Sequence, residues 1–322
     1  YYNWSPPPSY VLLVGDTAQI PTFTGTTGWP GPAQAVDLYF VTVNGTDYFP
    51  DIHIGRFPAA NESQVVAMVN KTVYYETGMF DSNEWIKKAA FMASNDNYQV
   101  SEGTHNYVIS TYLQPNNYTC DKLYCHTYGA TTQQVINAIN NGRSLAIYSG
   151  HGSSTSWADG PPLSQSQVRS LTNNGMYPFV CSHACDTGMF NIAECFGETW
   201  VREANKAGLA FWGASESTLW NEDDILEKRM FKAWWEDNIE TIGGMTDMAL
   251  YYLYQYYGGG GYTKYYFEAY NVLGDPAVKI WREEPVLEVQ FNFSMLNGWN
   301  LITIPVGANL TARDLVENIS AC

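Results

Sequence analysis

The chain has 322 residues and 45% of them are hydrophobic, which is enough apolar material for one large domain or two modest ones. Its net charge of −16, from 16 basic and 32 acidic residues, disfavours nucleic acid and anionic membranes as partners and favours cationic substrates. No apolar stretch reaches the length of a membrane span, so the sequence predicts no transmembrane helix.

Strands and helices are predicted to alternate along most of the chain. Apolar runs that end at Gly, Pro or polar residues predict strands, and apolar spacings of three and four predict helices. The strands are predicted at 10–16, 51–57, 89–94, 144–149, 177–182 and 209–213. The helices are predicted at 62–75, 105–113, 131–140, 195–205 and 224–257, the last one broken at Gly243–Gly244. This alternation predicts a layered α/β fold with a mostly parallel sheet.

Three polar residues stand just beyond the ends of predicted strands. Asp96, His151 and Cys185 each follow a predicted strand by three residues or fewer. Open parallel sheets bind their ligands beyond the carboxyl ends of the strands. We therefore expect these three side chains to meet in a functional site.

The thiol and the imidazole suit nucleophilic catalysis. Cys185 would be the nucleophile, and His151, which lies between Gly150 and Gly152, would take and return its proton. The glycines let a substrate approach the backbone, and the Gly152 amide can face a developing oxyanion. His183 is a rival base two residues before Cys185, but its closeness in sequence restricts its angle, so we favour His151.

Two motifs resemble those of a known enzyme family. Tyr-Ser-Gly-His-Gly-Ser at 148–153 and Pro-Phe-Val-Cys-Ser-His-Ala-Cys-Asp-Thr-Gly-Met-Phe at 178–190 are similar to the catalytic His and Cys motifs of the gingipain family of cysteine peptidases. This family is related to clostripain, legumain and caspases. Further similar segments lie at 10–16, 54–57 and 272–277, so the resemblance covers about residues 10–282. It implies a caspase-like, three-layer α/β/α fold and a secreted cysteine endopeptidase.

The resemblance also assigns roles to individual residues. It implies that His151 is the general base and acid, and that Cys185 forms an acyl-enzyme intermediate. The amides of Gly152 and Cys185 would form the oxyanion hole, and Asp96 would orient His151.

A basic side chain at P1, the residue before the cleaved bond, is implied by two further positions. Glu102 stands three residues before a helical histidine, where arginine-specific members of the family carry an S1 carboxylate. Trp220 lies where the family has a tryptophan that lines the pocket. A carboxylate in an aromatic-walled slot selects Arg or Lys through charge-assisted hydrogen bonds.

Three parts of the chain are predicted. Residues 1–87 would be a partial N-terminal subdomain of the catalytic unit, and residues 88–283 the catalytic caspase-like subdomain. Residues 284–322 would begin a truncated β-rich domain, Ig-like or similar, because apolar residues alternate with a period of two from Pro285 onward.

The cysteines leave several arrangements open. Cys120 and Cys125 bracket a short polar segment and are predicted to form a local disulfide. Cys181 can pair with Cys195, which would leave Cys185 free. The alternative is a structural zinc site with four ligands: Cys181, His183, Cys185 and Cys195.

The expected partners are protein or peptide substrates, and the chemistry needs no cofactor. The resemblance implies structural calcium, and Asp37, Asp47 and Asp51 are the candidate ligands, although no EF-hand spacing is present. Relatives carry additional elements before the segment at 10–16. We therefore expect a separately cleaved N-terminal chain that completes the fold.

An extracellular location, secreted or at the cell surface, is indicated by Asn-x-Ser/Thr sequons together with 24 Tyr and 11 Trp. The same features suit an alternative of another class, a catalytically inactive adhesin or glycan- or protein-binding module on this scaffold. The intact motifs around His151 and Cys185 argue against that alternative. The sequons are at Asn3, Asn44, Asn61, Asn70, Asn117, Asn292, Asn309 and Asn318.

Overall fold

The structure is a computed structural model that describes residues 3–28 and 31–285. Its strands are β1 (Tyr10–Val14), β2 (His53–Phe57), β3 (Lys88–Ala93), β4 (Thr119–Tyr124), β5 (Leu145–Ser149), β6 (Gly152–Ser153), β7 (Ser156–Trp157), β8 (Leu163–Ser164), β9 (Phe179–His183), β10 (Ala210–Ala214) and β11 (Tyr270–Leu273). Its α-helices are α1 (Glu62–Thr77), α2 (Tyr98–Val108), α3 (Cys125–Tyr128), α4 (Thr132–Asn140), α5 (Gln165–Arg169), α6 (Phe196–Arg202), α7 (Trp220–Trp235), α8 (Ile242–Tyr257) and α9 (Gly261–Ala269).

Eight strands form one sheet in the order β1-β2-β11-β10-β9-β5-β3-β4, and β6 to β8 form a small antiparallel sheet. Neighbouring strands of the large sheet are parallel except for β10 and β11. The five strands from β10 to β4 therefore end at the same edge. Ser149 of β5 pairs with His183 of β9, so the loops after these two strands leave the sheet side by side.

Helices cover both faces of the sheet. Successive side chains of a strand point to opposite faces, and here the side chains on both faces are apolar and buried. Phe91 on β3 packs into one core, which also holds Val108 of α2 and Leu226 of α7. The next residue, Met92, points to the other core, which contains Ile139 of α4. This arrangement is the predicted three-layer α/β/α fold with a mostly parallel sheet.

The structure differs from the predicted elements in several places. Residues 119–124 form β4 rather than a polar loop, because the edge position beside β3 lets polar side chains stay partly exposed. Gly243 and Gly244 do not break a helix but lie in the first turn of α8. A Cβ on Gly243 would lie 2.9 Å from both His53 and Pro276.

The chain divides into two compact units, residues 1–286 and 287–322. The predicted boundary at residue 87 falls inside the first unit and stays a prediction. The predicted β-rich segment at 284–322 lies outside the described residues from 286 onward. Within the described part of the chain, no helix is both long enough and apolar enough to cross a membrane.

Candidate active site

His151 is oriented by a carboxylate from the neighbouring strand. Its Nε2 donates a hydrogen bond to Oδ2 of Asp96 at 2.9 Å, and this bond lowers the pKa of Asp96. Asp96 is itself positioned because its backbone amide donates to Ser94 Oγ at 2.9 Å. With Nε2 engaged as a donor, Nδ1 is the ring nitrogen of His151 that can accept a proton.

A second carboxylate, Asp159, fixes the backbone of the same loop. Its Oδ1 accepts from the His151 amide at 3.0 Å and from the Tyr148 hydroxyl at 3.3 Å, and its Oδ2 accepts from the Ser94 hydroxyl at 2.5 Å. Asp159 thus links the ends of β5 and β3. No local sequence pattern singles out Asp159, because its partners are 65, 11 and 8 residues away.

Cys185 is half-buried in the loop after β9. Its Sγ accepts a hydrogen bond from the Thr218 amide at 3.3 Å. Burial raises the pKa of the Cys185 thiol, and the nearby carboxylates of Asp223 and Asp186 raise it as well. Because its pKa is raised, the resting sulfur is a thiol rather than a thiolate at neutral pH. The next residue, Asp186, adopts a φ of 63°, which is a conformation that non-glycine residues seldom take.

The His151 and Cys185 loops lie directly against each other. A Cβ on Gly152 would lie 2.6 Å from the Cys185 carbonyl oxygen and 2.9 Å from the Ala184 Cβ, so only glycine fits at this position. The Trp220 ring packs edge-on against the His151 ring, with 5.4 Å between centroids. The structure therefore brings His151, Gly152, Cys185 and Trp220 together.

An acid that sequence reasoning missed lies one helical turn after Trp220. Asp223 is buried, and it accepts hydrogen bonds from the Tyr270 hydroxyl at 2.6 Å and the Thr218 hydroxyl at 2.7 Å. Burial raises the pKa of Asp223 to about 7. The sequence signal for Asp223 was its spacing of three residues from Trp220, which places both side chains on one face of a helix. That signal could be used only once α7 was known to begin at Trp220.

Glu102, the predicted S1 carboxylate, is hydrogen-bonded to a residue of α3. It is buried on α2, and its carboxylate accepts from both the backbone amide and the hydroxyl of Thr127. These two bonds hold α3 against α2. The hydrogen bonds of Glu102 are with α3, whereas the ring contact of Trp220 is with His151.

His183 turns away from the site into the interior. Its Nδ1 lies 3.5 Å from the Tyr270 hydroxyl, and its Nε2 lies 3.8 Å from Oε2 of the buried Glu227. Burial lowers the pKa of His183 to about 3. Glu227 is instead hydrogen-bonded to His105 at 2.7 Å. His183 is thus a packed core residue, and the preference for His151 as the base agrees with this placement.

The three candidate calcium ligands do not form a site. Asp37 is buried and makes a bidentate ion pair with Arg56, with both N···O distances 2.7 Å. Asp47 and Asp51 accept hydrogen bonds from backbone amides of their own loop. Among the described residues, no three His, Cys, Asp or Glu side chains are grouped to hold a metal ion. This corrects the choice of calcium ligands, and it contradicts the zinc alternative as well.

The predicted disulfide between Cys120 and Cys125 is not formed. Both thiols are free, as are those of Cys181, Cys185 and Cys195. Cys120 lies on β4 and Cys125 begins the helix that follows, so the extended strand separates their Cα atoms by ~16 Å. A disulfide tolerates about 7 Å at most. The pairing of Cys181 with Cys195 is likewise not formed.

The structure places a cysteine and a histidine together at the carboxyl edge of a three-layer α/β/α fold, as in cysteine peptidases of this architecture. Comparisons with known proteins agree with that class. The sequence profile of peptidase family C25 matches residues 1–281. Lys-gingipain of Porphyromonas gingivalis is 30% identical over 309 residues, covering 86% of this chain and 17% of the relative. Gingipain R2 of the same organism is 28% identical over 291 residues, covering 84% and 38%.

Solved structures give the same result. The Arg-specific cysteine proteinase gingipain R superposes with a TM-score of 0.76 at 26% identity, covering 86% of this chain and 65% of that one. The complex of Porphyromonas gingivalis RgpB pro- and mature domains has the same fold, with a TM-score of 0.78 at 24% identity. The chain belongs to peptidase family C25, the gingipain family. It spans well under half the length of the curated relatives that it matches.

Proposed function

We propose that this chain is a cysteine endopeptidase that cleaves peptide bonds after Lys or Arg through Cys185 and His151. The observation that carries the proposal is the packing of two loops. His151, oriented by Asp96, and Cys185 leave paired parallel strands side by side. Membership of a peptidase family and relatives named for Lys and Arg support both the chemistry and the preference for a basic P1 residue.

The raised pKa of the thiol determines how the first step proceeds. Because Cys185 is protonated at rest, His151 takes its proton as Sγ attacks the carbonyl carbon of the P1 residue. The amides of Gly152 and Cys185 would stabilise the oxyanion. His151 then gives the proton to the leaving amine, and later it activates the water that hydrolyses the acyl-enzyme.

The P1 selector in this proposal is Asp223 rather than Glu102. Asp223 is close enough to Cys185 to raise the pKa of its thiol, and it lies one turn from Trp220, whose ring contacts His151. A Lys or Arg side chain that crosses this space would meet a carboxylate already held by Tyr270 and Thr218. Glu102 instead contacts Thr127 of α3, and no such link to Cys185 supports it as the selector.

We also propose that the protein is secreted or held at the cell surface. The five sequon asparagines in the described part, Asn3, Asn44, Asn61, Asn70 and Asn117, are all exposed, as glycosylation would require. Within the described residues β1 pairs with β2 alone, so its other edge suits the expected additional N-terminal chain. Structural calcium stays a prediction without assigned ligands.

A panel of fluorogenic peptides with Lys, Arg, Asn, Asp or Leu at P1 tests the function. We expect cleavage after Lys or Arg under reducing conditions, and its loss in Cys185→Ala. Asp223→Asn should lower kcat/KM for basic P1 residues by about 100-fold, since a buried charged hydrogen bond is lost. Glu102→Gln is the matched control and should change it far less. Binding of peptides without cleavage by the wild type would favour the inactive adhesin instead.

A further inference from the structure

The order of the strands gives the active-site edge a direction. Trp220 and Asp223 follow β10, Cys185 follows β9, and His151 follows β5, while β3 and β4 lie further along the sheet. Adjacent strands are about 4.8 Å apart. If the P1 side chain points to Asp223, the acyl half of the substrate lies toward β10. The leaving half, whose amine is protonated by His151, then runs toward the ends of β3 and β4.

An aromatic stack stands at that far end. Tyr98 begins α2, two residues after Asp96, and His126 belongs to α3, which follows β4. Their rings are parallel within 9°, with 3.4 Å between centroids. Tyr98 is half-buried, whereas His126 is exposed. The stack therefore presents a flat imidazole beside the carboxylate that orients the catalytic histidine.

The stack is held in place by a polar contact below it. Glu102, buried on α2, accepts from the amide and the hydroxyl of Thr127, the neighbour of His126. At the end of β4, the Tyr124 hydroxyl donates to Asn106 of α2 at 3.3 Å. An aromatic surface that is rigid before binding loses little conformational entropy when a ligand packs on it.

We propose that the Tyr98–His126 stack is a subsite for the leaving half of the substrate, and that it takes a flat or long apolar side chain. The inference rests on the proposed peptidase function. Two peptide units place the Cα of Tyr98 within about 7 Å of that of Asp96. A substrate strand advances about 3.3 Å per residue. The side chain that reaches the stack is therefore the second or third after the cleaved bond.

Three substrates with the same basic P1 residue test the subsite. The first is a short peptide whose leaving group is a single fluorogenic amine. The second is an internally quenched peptide with Phe at both P2′ and P3′, and the third has Gly at both positions. The variants are His126→Ala, Tyr98→Ala and the conservative His126→Phe. Tyr262→Ala, which removes an exposed tyrosine on α9, is the matched control.

We expect His126→Ala and Tyr98→Ala to lower kcat/KM for the Phe peptide about five- to tenfold. The Gly peptide and the short substrate should stay within about twofold of the wild type. His126→Phe should keep most of the activity because it keeps a flat ring, and it serves as the test should the alanine variants fold poorly. The control should change none of the three values.

Two results would overturn the subsite. Equal losses on all three substrates would assign the stack a purely structural role, and unchanged cleavage of the Phe peptide would show that nothing binds there. A wild-type protein that cleaves none of the substrates would instead refute the proposed peptidase function. The short substrate distinguishes that failure because it lacks residues that reach the stack.

Discussion

At the scale of single residues, Cys185 is set up to react only with help from its neighbour. Burial and two carboxylates raise the pKa of the thiol, although a hydrogen bond from the Thr218 amide works in the opposite direction. A thiol with the ordinary pKa of about 8.5 is already mostly protonated at pH 7, and a higher pKa leaves still less thiolate. The base therefore has to act during the attack rather than before it.

The pH dependence of alkylation tests this point. Because the thiol pKa is raised, the rate of Cys185 modification by iodoacetamide should be low at pH 7 and still rise above pH 9. His151→Ala should abolish peptide cleavage but leave the alkaline alkylation rate nearly intact. The loss of iodoacetamide-reactive Cys185 can be followed by mass spectrometry of the site. A rate that reaches its plateau below pH 7 would indicate a preformed thiolate–imidazolium pair instead.

Asp96 acts on His151 from an exposed position, which limits its effect. Asp96→Asn keeps an oxygen that accepts from Nε2 but removes the charge that stabilises the imidazolium. Because the Asp96 side chain is 61% exposed, solvent screens that charge. We expect kcat to fall about three- to tenfold with little change in KM, measured on a short basic substrate. Asp81→Asn, at an exposed loop position, is the control, and a loss of 1,000-fold or more would contradict this account.

At the scale of elements, glycines determine how closely helices approach the sheet. Gly197 on α6 faces β10, and an added Cβ would lie 2.6 Å from the Phe211 ring. Gly103 on α2 is exposed, and an added Cβ would meet nothing within 4 Å. Replacement by alanine should therefore have opposite effects on stability at the two positions, although both lie within helices.

Gly197→Ala and Gly103→Ala form a matched pair for measurement. Overpacking against Phe211 should lower the free energy of unfolding by about 1–3 kcal/mol in Gly197→Ala. The better helix propensity of alanine should raise it by up to about 1 kcal/mol in Gly103→Ala. Urea unfolding monitored by tryptophan fluorescence gives both values. Equal effects of the same sign would show that helix propensity, rather than packing on the sheet, dominates.

At the scale of the whole molecule, charge works together with the proposed specificity. The chain has a net charge of −16. Three of its acids, Asp96, Asp186 and Asp223, lie near His151 or Cys185. Long-range attraction should therefore raise the rate at which cationic peptides arrive. Salt weakens this attraction because the Debye length falls from about 30 Å at 0.01 M to about 10 Å at 0.1 M.

Varying the ionic strength distinguishes long-range attraction of the substrate from direct contact of the P1 side chain in the S1 pocket. For two peptides with the same basic P1 residue, one with net charge +3 and one neutral overall, kcat/KM is measured between 0.01 M and 0.5 M NaCl. The value for the +3 peptide should fall several-fold, while that for the neutral peptide changes little. Parallel losses would assign the salt effect to the S1 contact or to the protein itself.

The sequence alone determined much of the architecture and indicated the pair of residues proposed to react. Buried strands read as apolar runs because both faces of the sheet are covered, and all six predicted strands lie within a few residues of those observed. His151 and Cys185 were identifiable because strand ends are local features and because their motifs resemble those of the family that the sequence profile confirms. The edge strand β4 was missed because its exposed positions carry polar residues.

Only the tertiary structure decided which acids belong to the site. Glu102 and Asp223 both look like helix carboxylates in the sequence, yet one holds Thr127 and the other lies near Cys185. Asp37 resembled a metal ligand until its buried partner Arg56 was known. In each case the partner is distant along the chain. The role of an acid depends on which strands become neighbours, and that is fixed by the packing of the sheet rather than by local pattern.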